Sequence, residues 1–387
     1  MSEASQILDY LRERRAEMVE LTCRMASIES PSDSPALTRA ALLSYEQSLR
    51  DLNFRTILTP GRNGGGHLYG RPRERQANHP SQLVIGQIDT VWPVGTLENM
   101  PIETDGERLR GPGVYDMKSG LVQILFALRA LQDLDLPTGA TPLIFVNTDE
   151  EIGSRESTRW IRRLSQTASR AFILEPSLGT SGRLKTSRKG IGRFTIRAHG
   201  RAAHAGIEPE AGASAIAEIA QQIGRLFAMN DPERGISVNV GKIEGGLAPN
   251  VVAHFSEAIV DVRVRTHEDA ERVTAQIHAL EPLIPGVVLE VEGGIGRPPM
   301  EVTKASNALW EHAVRAAEAL GIPLEQAMSG GASDGNTTSQ YIPTLDGLGA
   351  VGDGAHARHE YVLVDSMAER AALLALLLRL TPEEIER

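Results

Sequence analysis

The spacing of apolar positions changes character twice along this chain. Over the first 55 residues Leu8, Leu11, Met18, Leu21 and Met25 recur at helical spacing, and Asp33, Ser34 and Pro35 open a second helix over 36–52. Short apolar runs then appear at 83–88, 142–146 and 171–174, each bounded by Gly, Pro or polar residues, with helical patterns at 120–134 and 154–165 between them. Buried strands alternating with helices predict an α/β fold, a mostly parallel sheet with helices on both faces. From about 189 to 298 the rhythm differs: a strand-like run at 192–198, a helix over 213–229, alternating runs at 237–243 and 253–265, a helix over 268–280 and a strand at 287–292. That order, βαββαβ, predicts a small ferredoxin-like α+β sheet with helices on one face. A helix over 306–320, a short strand region at 347–351 and a closing helix over 365–380 return to the first character. The expected organisation is a discontinuous catalytic domain, 1–188 and 299–387, interrupted by a second domain, 189–298.

Composition narrows the class. A chain of 387 residues is long for one core, and two domains are the natural expectation. Hydrophobic residues at 41% and charged residues at 23% are ordinary for a globular protein. Aromatics are only 4%, so the core must rest on Leu, Ile, Val and Ala. The net charge of −10 argues against a nucleic-acid partner, which asks for a basic face. Cys23 is the only cysteine, so no intramolecular disulfide ties the chain to an oxidising compartment. The N-terminal stretch lacks the apolar core and small-residue cleavage site of a signal peptide. No run approaches the roughly 20 apolar residues needed to span a membrane. A soluble, cytoplasmic enzyme is the expectation.

The chemistry sits at the ends of the apolar runs. The first leads into Asp89, the second into Asp149, Glu150 and Glu151, and the third into Glu175. In open parallel sheets ligands bind at that carboxyl edge. A further acid, Asp116, lies in a loop shaped by Gly111, Pro112 and Gly113, just before a helix. Carboxylates gathered at one edge repel each other and force protonation unless a cation intervenes. Oxygen ligands plus a histidine, with His356 as the candidate, suit Zn²⁺, Mn²⁺ or Co²⁺. Taken singly, each residue has a plainer reading. Asp89 or Asp116 is a turn or helix-cap residue, Glu150 and Glu151 the solvated start of a helix, Glu175 a loop charge, and His356 and His359 surface histidines. The case rests on their joint placement.

The same residues resemble the M20 metallopeptidase family, in its glutamate carboxypeptidase-like branch, over nearly the whole chain. The family pattern G-H-x-D-T-V is matched by Gly86-Gln-Ile-Asp-Thr-Val, and G-P-G-x-x-D-M-K-x-G is matched over 111–120. T-D-E-E-x-G-S is matched over 148–154, L-E-P over 174–176, and G-A-H-x-x-x-E-Y-V over 354–362. The resemblance implies a zinc-peptidase α/β domain with a lid and dimerisation domain. It further implies that Asp116 bridges two metal ions, most readily Zn²⁺. Glu151 and His356 would complete one site, and Glu175 with position 87 the other. Glu150 would be the general base toward the attacking water, and Asp89 an acid orienting the ligand at position 87. The implied substrate is a small peptide or N-acyl amino acid with a free carboxylate, and the implied assembly a homodimer through the lid.

Within 189–298, Gly200-Arg-Ala-Ala-His-Ala-Gly resembles a family segment whose histidine reaches into the partner's active site and steadies the oxyanion, which would be His204. Capping a turn is the other reading of that histidine. Gly245-Gly-Leu-Ala-Pro-Asn-Val resembles a lid loop whose Asn250 meets substrate. Arg263, and more weakly Arg297, resemble carboxylate-binding arginines, a role suited to the guanidinium fork; a solvent-facing strand arginine is the alternative for Arg263. Gly330 and Gly331 resemble a glycine-rich substrate loop whose N–H groups face a carboxylate, or form only a tight turn.

One position departs from the family pattern. Gln87 stands where the pattern has a metal-ligand histidine. A neutral amide oxygen is a weaker and harder ligand than imidazole, so the site it shares with Asp116 and Glu175 is expected to lose affinity. Two function classes follow: a working metal-dependent hydrolase, or a catalytically impaired or noncatalytic metal- or ligand-binding homologue. Retention of Glu150, Asp116 and His204 favours the first.

Overall fold

The computed structural model describes residues 2–74 and 79–385. The chain divides into two compact units, one of Met1–Thr186, Val302–Met328 and Ser333–Arg387, the other of Ser187–Glu301 and Ser329–Ala332.

The first unit is built on a six-stranded sheet. Its order is Phe54–Thr59, His67–Pro72, Thr141–Asn147, Ser81–Gln87, Ala171–Ile173, Thr344–Leu345. The last four strands run parallel to one another and the first two are antiparallel additions. Alternate residues of the central strands feed two apolar layers. Val84, Ile144, Val146 and Phe172 enter a large cluster with residues of the helices Glu3–Glu13, Arg15–Ala26, Pro35–Asp51, Ser119–Asp133, Lys304–Leu320 and Val364–Arg379. Leu83, Ile85, Leu143, Phe145 and Ile173 enter a smaller one with Ile161 of the helix Thr158–Ser165. A strand covered on both faces has no solvent side, which is why these segments read as unbroken apolar runs. Phe172→Ala is expected to destabilise this unit by about 3–5 kcal/mol, read as a lowered urea midpoint, because its side chain is fully buried.

The second unit is a four-stranded antiparallel sheet in the order Ser237–Gly245, Phe255–Val264, Gly190–His199, Val288–Arg297, with the helices Ala215–Phe227 and His267–His278. Burial along Gly190–His199 alternates. Phe194, Ile196 and Ala198 pack with Ile219, Leu226, Val273 and Ile277. Arg197, on the other face, pairs with Glu257 and Glu292, each at 2.8 Å. The βαββαβ order is therefore present, with its helices on one face.

Three local expectations are corrected. The hairpin Phe54–Thr59 and His67–Pro72 was not expected; its outer strand is half polar and exposed on one side, so it carries no apolar run. The helix expected over 154–165 starts only at Thr158. Asp149 Oδ2 accepts the N–H groups of Glu156 and Ser157, at 2.7 and 3.2 Å, and holds the preceding residues in a loop. The strand expected at 347–351 lies instead at Thr344–Leu345. Gly347 has a positive φ of 74°, which ends the extended stretch.

Candidate metal centre

Strand register brings the acids together. Gln87 and Asn147 are paired at the ends of adjacent parallel strands, and Ile88 N–H donates to the Asn147 carbonyl at 3.0 Å. The chain beyond each end therefore emerges at the same edge. There Asp89, fully buried, accepts the backbone N–H groups of Glu150 and Glu151 at 3.3 and 3.2 Å, and the Ser32 hydroxyl at 2.7 Å. Burial pushes its carboxyl up to about 7, against the pull of the Ser32 hydrogen bond. The hydrogen bonds of Asp89 run to the Glu150–Glu151 turn and to Ser32. Gln87 donates from Nε2 to Glu151 Oε1 at 3.0 Å.

A small four-stranded sheet presents the other two groups. Its order is Gly352–Asp353, Tyr361–Leu363, Arg108–Arg110, Glu103–Thr104. The loop carrying Asp116 leaves Arg108–Arg110, and the loop carrying His356 joins the two strands of the adjoining hairpin. Gly113 sits at φ 73°, where a side chain would be strained and its Cβ would meet Thr90 at 2.7 Å. The Asp116–Met117 peptide is cis.

Asp116, Glu151 and His356 converge so that one ligand atom from each lies within 4.8 Å of the others. His356 Nε2 is 3.2 Å from Glu151 Oε2 and 3.5 Å from Asp116 Oδ2. Hydrogen bonds to Asp116 and Glu151 raise the imidazole to about 11, and burial raises Glu151 to about 8. Two carboxylates this close retain a proton or need a cation between them. Asp116 Oδ1 and Gln87 Oε1 are both buried without a hydrogen-bond partner. Buried acceptors of this kind are costly unless something electropositive meets them. Two carboxylate oxygens and an imidazole nitrogen are a donor set suited to Zn²⁺, Mn²⁺ or Co²⁺, so these residues fit a divalent ion.

The remaining candidates stand outside this cluster. Glu175 is buried at the end of Ala171–Ile173 and does not join the three residues. In the second unit, exposed His204 accepts the Gly206 N–H on Nδ1 at 3.1 Å, a local turn contact. Asn250 is exposed, and its carbonyl accepts the Ala205 N–H at 2.9 Å. Arg263 is held by Asp261 through two hydrogen bonds, at 2.8 and 3.1 Å. Arg263 and Arg297 both lie opposite Ile191, one on each flanking strand. Cross-strand partners share a face, so the two arginines do as well. Gly331 offers its carbonyl to Arg188 Nη1 at 3.0 Å and its N–H to Ser329 Oγ at 3.3 Å.

Two further groups around the site are not among the candidate residues. Asp334, nearly fully buried, accepts Asn147 Nδ2 at 2.6 Å and Ser154 Oγ at 2.5 Å, tying down both ends of the stretch that carries Glu150 and Glu151. Only its place in a Ser-Asp-Gly segment points to it, and that segment reads equally well as a turn. Glu360 accepts four hydrogen bonds behind Asp116. Its signal is its place as the fixed acid of the G-A-H-x-x-x-E-Y-V pattern, four residues after His356, which marks the position without giving it a role.

Acids and a histidine gathered at the carboxyl edge of a parallel sheet, in a chain with a separate ferredoxin-like unit, define an α/β protein with a candidate divalent-metal site. Residues 83–380 match the profile of peptidase family M20/M25/M40, and the chain belongs to that family. It is 26% identical over 363 residues to carboxypeptidase G2 of Pseudomonas sp. (strain RS-16), covering 92% of this chain and 87% of that one. In fold it resembles aminopeptidase PepT of Bacillus cereus, with a TM-score of 0.77 and 21% identity over 96% of this chain and 99% of that one. It also resembles the YXEP protein of Bacillus subtilis, a dinuclear metal-binding peptidase, with a TM-score of 0.69 and 15% identity over 95% and 98% of the two chains. The chain is thus a peptidase-family hydrolase with a divalent-metal site. Among the described residues no helix is long and apolar enough to cross a membrane.

Proposed function

We propose that this chain hydrolyses the amide bond of a small peptide or N-acyl amino acid that carries a free carboxylate, as a metallo-carboxypeptidase or amidohydrolase. The observation that carries the reading is the convergence of Asp116, Glu151 and His356 within 4.8 Å in a chain of the M20 family. These three residues would hold the ion, Zn²⁺ by preference for a mixed oxygen and imidazole set. When bound, such an ion polarises a carbonyl and makes water a better nucleophile at neutral pH.

The chain's own groups supply the rest. Asp89 fixes the backbone of Glu150 and Glu151 through their N–H groups. The Glu150 carboxylate takes a proton from the attacking water and returns it to the leaving amine. His204 steadies the oxyanion as it forms, in a cytoplasmic homodimer assembled through the second unit. Arg263 and Arg297 supply guanidinium groups for the substrate carboxylate, with Asn250, Gly330 and Gly331 as further contacts. Asp261 holds the Arg263 fork in one orientation before any ligand arrives, which limits the entropy lost on binding.

The test is a panel of N-acyl amino acids and dipeptides, each offered as the free acid and as its methyl ester, with light scattering for the dimer. Free acids are expected to be cleaved at least about 10-fold more efficiently, an effect of one lost charge-assisted hydrogen bond. Equal rates on esters remove the carboxylate clamp. A second reading, a noncatalytic metal-binding homologue, is favoured by Gln87 in place of the histidine. It gains if the protein binds metal and cleaves nothing in the panel.

A further inference from the structure

We propose that Glu360 is a positioning residue for the metal centre, setting the spacing between Asp116 and His356; this rests on the reading that those two residues ligate the ion. Glu360 is almost fully buried. Its Oε1 accepts the backbone N–H groups of Tyr115 and Asp116, at 2.9 and 3.1 Å. Its Oε2 accepts the Gly113 N–H at 3.0 Å and the Trp92 indole N–H at 2.8 Å. A carboxylate has about four acceptor directions, and here all are used.

The placement couples two parts of the chain that are far apart in sequence. One of the four donors is the amide of Asp116 itself. On the other side, the Glu360 N–H donates to the Ala357 carbonyl at 3.0 Å, closing the turn that leads from His356. Tyr361, the next residue, pairs with Arg110 at the root of the Asp116 loop. A single side chain therefore ties the loop bearing one ligand to the turn bearing the other. Asp116 lies in the irregular turn Val114–Lys118, where its own φ and ψ are not helical, and the carboxylate of Glu360 takes up the N–H groups of Tyr115 and Asp116 there. Trp92 adds a third segment, which follows Asp89.

Asp116 and Glu360 play separate parts. Asp116 turns its side chain toward His356, and Glu360 grips its backbone from behind. Groups that orient metal ligands without touching the ion typically change metal affinity 10–100-fold when altered. Glu360→Gln is the sharpest change, because it keeps the shape but turns one oxygen into an N–H₂ donor. Two of the four N–H groups then face a donor.

The experiment titrates Co²⁺ into wild type, Glu360→Gln and Trp92→Phe, following visible absorption and the indole N–H resonances of the three tryptophans. The expected result is folded Glu360→Gln protein that binds Co²⁺ about 10–100-fold more weakly, with an altered cobalt spectrum and a displaced Trp92 indole signal. Trp92→Phe is expected to change affinity and spectrum in the same direction by less. Wild-type affinity and spectrum in Glu360→Gln overturn the proposal. Should that variant not fold, an unchanged affinity and spectrum in Trp92→Phe overturn it instead. Failure of the wild type itself to bind Co²⁺ takes down the metal reading and this one together, which separates the two failures.

Discussion

Glu150→Gln is expected to lower kcat by about 10²–10⁴-fold, the usual contribution of a positioned general acid–base, with metal content and KM close to wild type. The substitution removes the ability to carry a proton and keeps the shape of the side chain. Its backbone anchors are main-chain groups: the Glu150 N–H to Asp89 at 3.3 Å, and the Glu150 carbonyl, which accepts the Gly153 N–H at 2.8 Å. Both persist with any side chain at this position. The next residue, Glu151, belongs to the cluster with Asp116 and His356, and Glu150 does not. Metal content measured by mass spectrometry should therefore separate the two acids: Glu151→Gln loses metal, and Glu150→Gln keeps it. A Glu150→Gln variant with at least a tenth of wild-type kcat would show that another group moves the proton. A drop in metal content matching the drop in rate would make Glu150 a ligand instead.

Much of this site is legible in the amino-acid sequence, for a definite reason. Strands covered on both faces are apolar throughout, so their ends are sharp in the sequence. Parallel neighbours must end at one edge, which makes Asp89, Glu150 and Glu151 neighbours by topology alone. The direction in which polar side chains turn is not legible in the same way. Asp89 accepts the N–H groups of Glu150 and Glu151, a contact no pattern announces, because a strand-end carboxylate sits within reach of the amides of the adjoining turn. The Arg263–Asp261 pair follows from strand geometry, since residues two apart share a face, but the choice between partner and solvent depends on packing that no pattern carries. Glu360 stands in a matched motif, yet its role, like that of Asp334, escapes a reading by pattern, because their partners are main-chain amides and neutral side chains, remote in sequence and without a charge signature.

Gln87→His is expected to raise bound metal from about one ion per chain toward two, with higher turnover at limiting metal. The side chain at 87 is nearly fully buried, so whatever stands there must satisfy its polar atoms inside the protein. The amide does so with one half only: Nε2 donates to Glu151 Oε1 at 3.0 Å, while Oε1 meets no hydrogen-bond partner. That donor also occupies a Glu151 oxygen and leaves Glu151 Oε2 facing His356 at 3.2 Å. Asp116 shows the same asymmetry, with Oδ2 toward His356 and Oδ1 without a partner. One side of the cluster is thus assembled around His356, and the other holds two unmet oxygens where an imidazole would supply a stronger nitrogen donor for Zn²⁺ or Co²⁺. Imidazole at 87 gives up the amide's contact with Glu151, so a modest loss of stability in the metal-free variant is part of the expected result. Equilibrium dialysis with Zn²⁺ and with Mn²⁺ discriminates further: the variant should gain more for Zn²⁺, the better partner for nitrogen. Unchanged stoichiometry for both ions would place position 87 outside the metal's reach, and two ions already bound to the wild type would mean that the amide oxygen suffices.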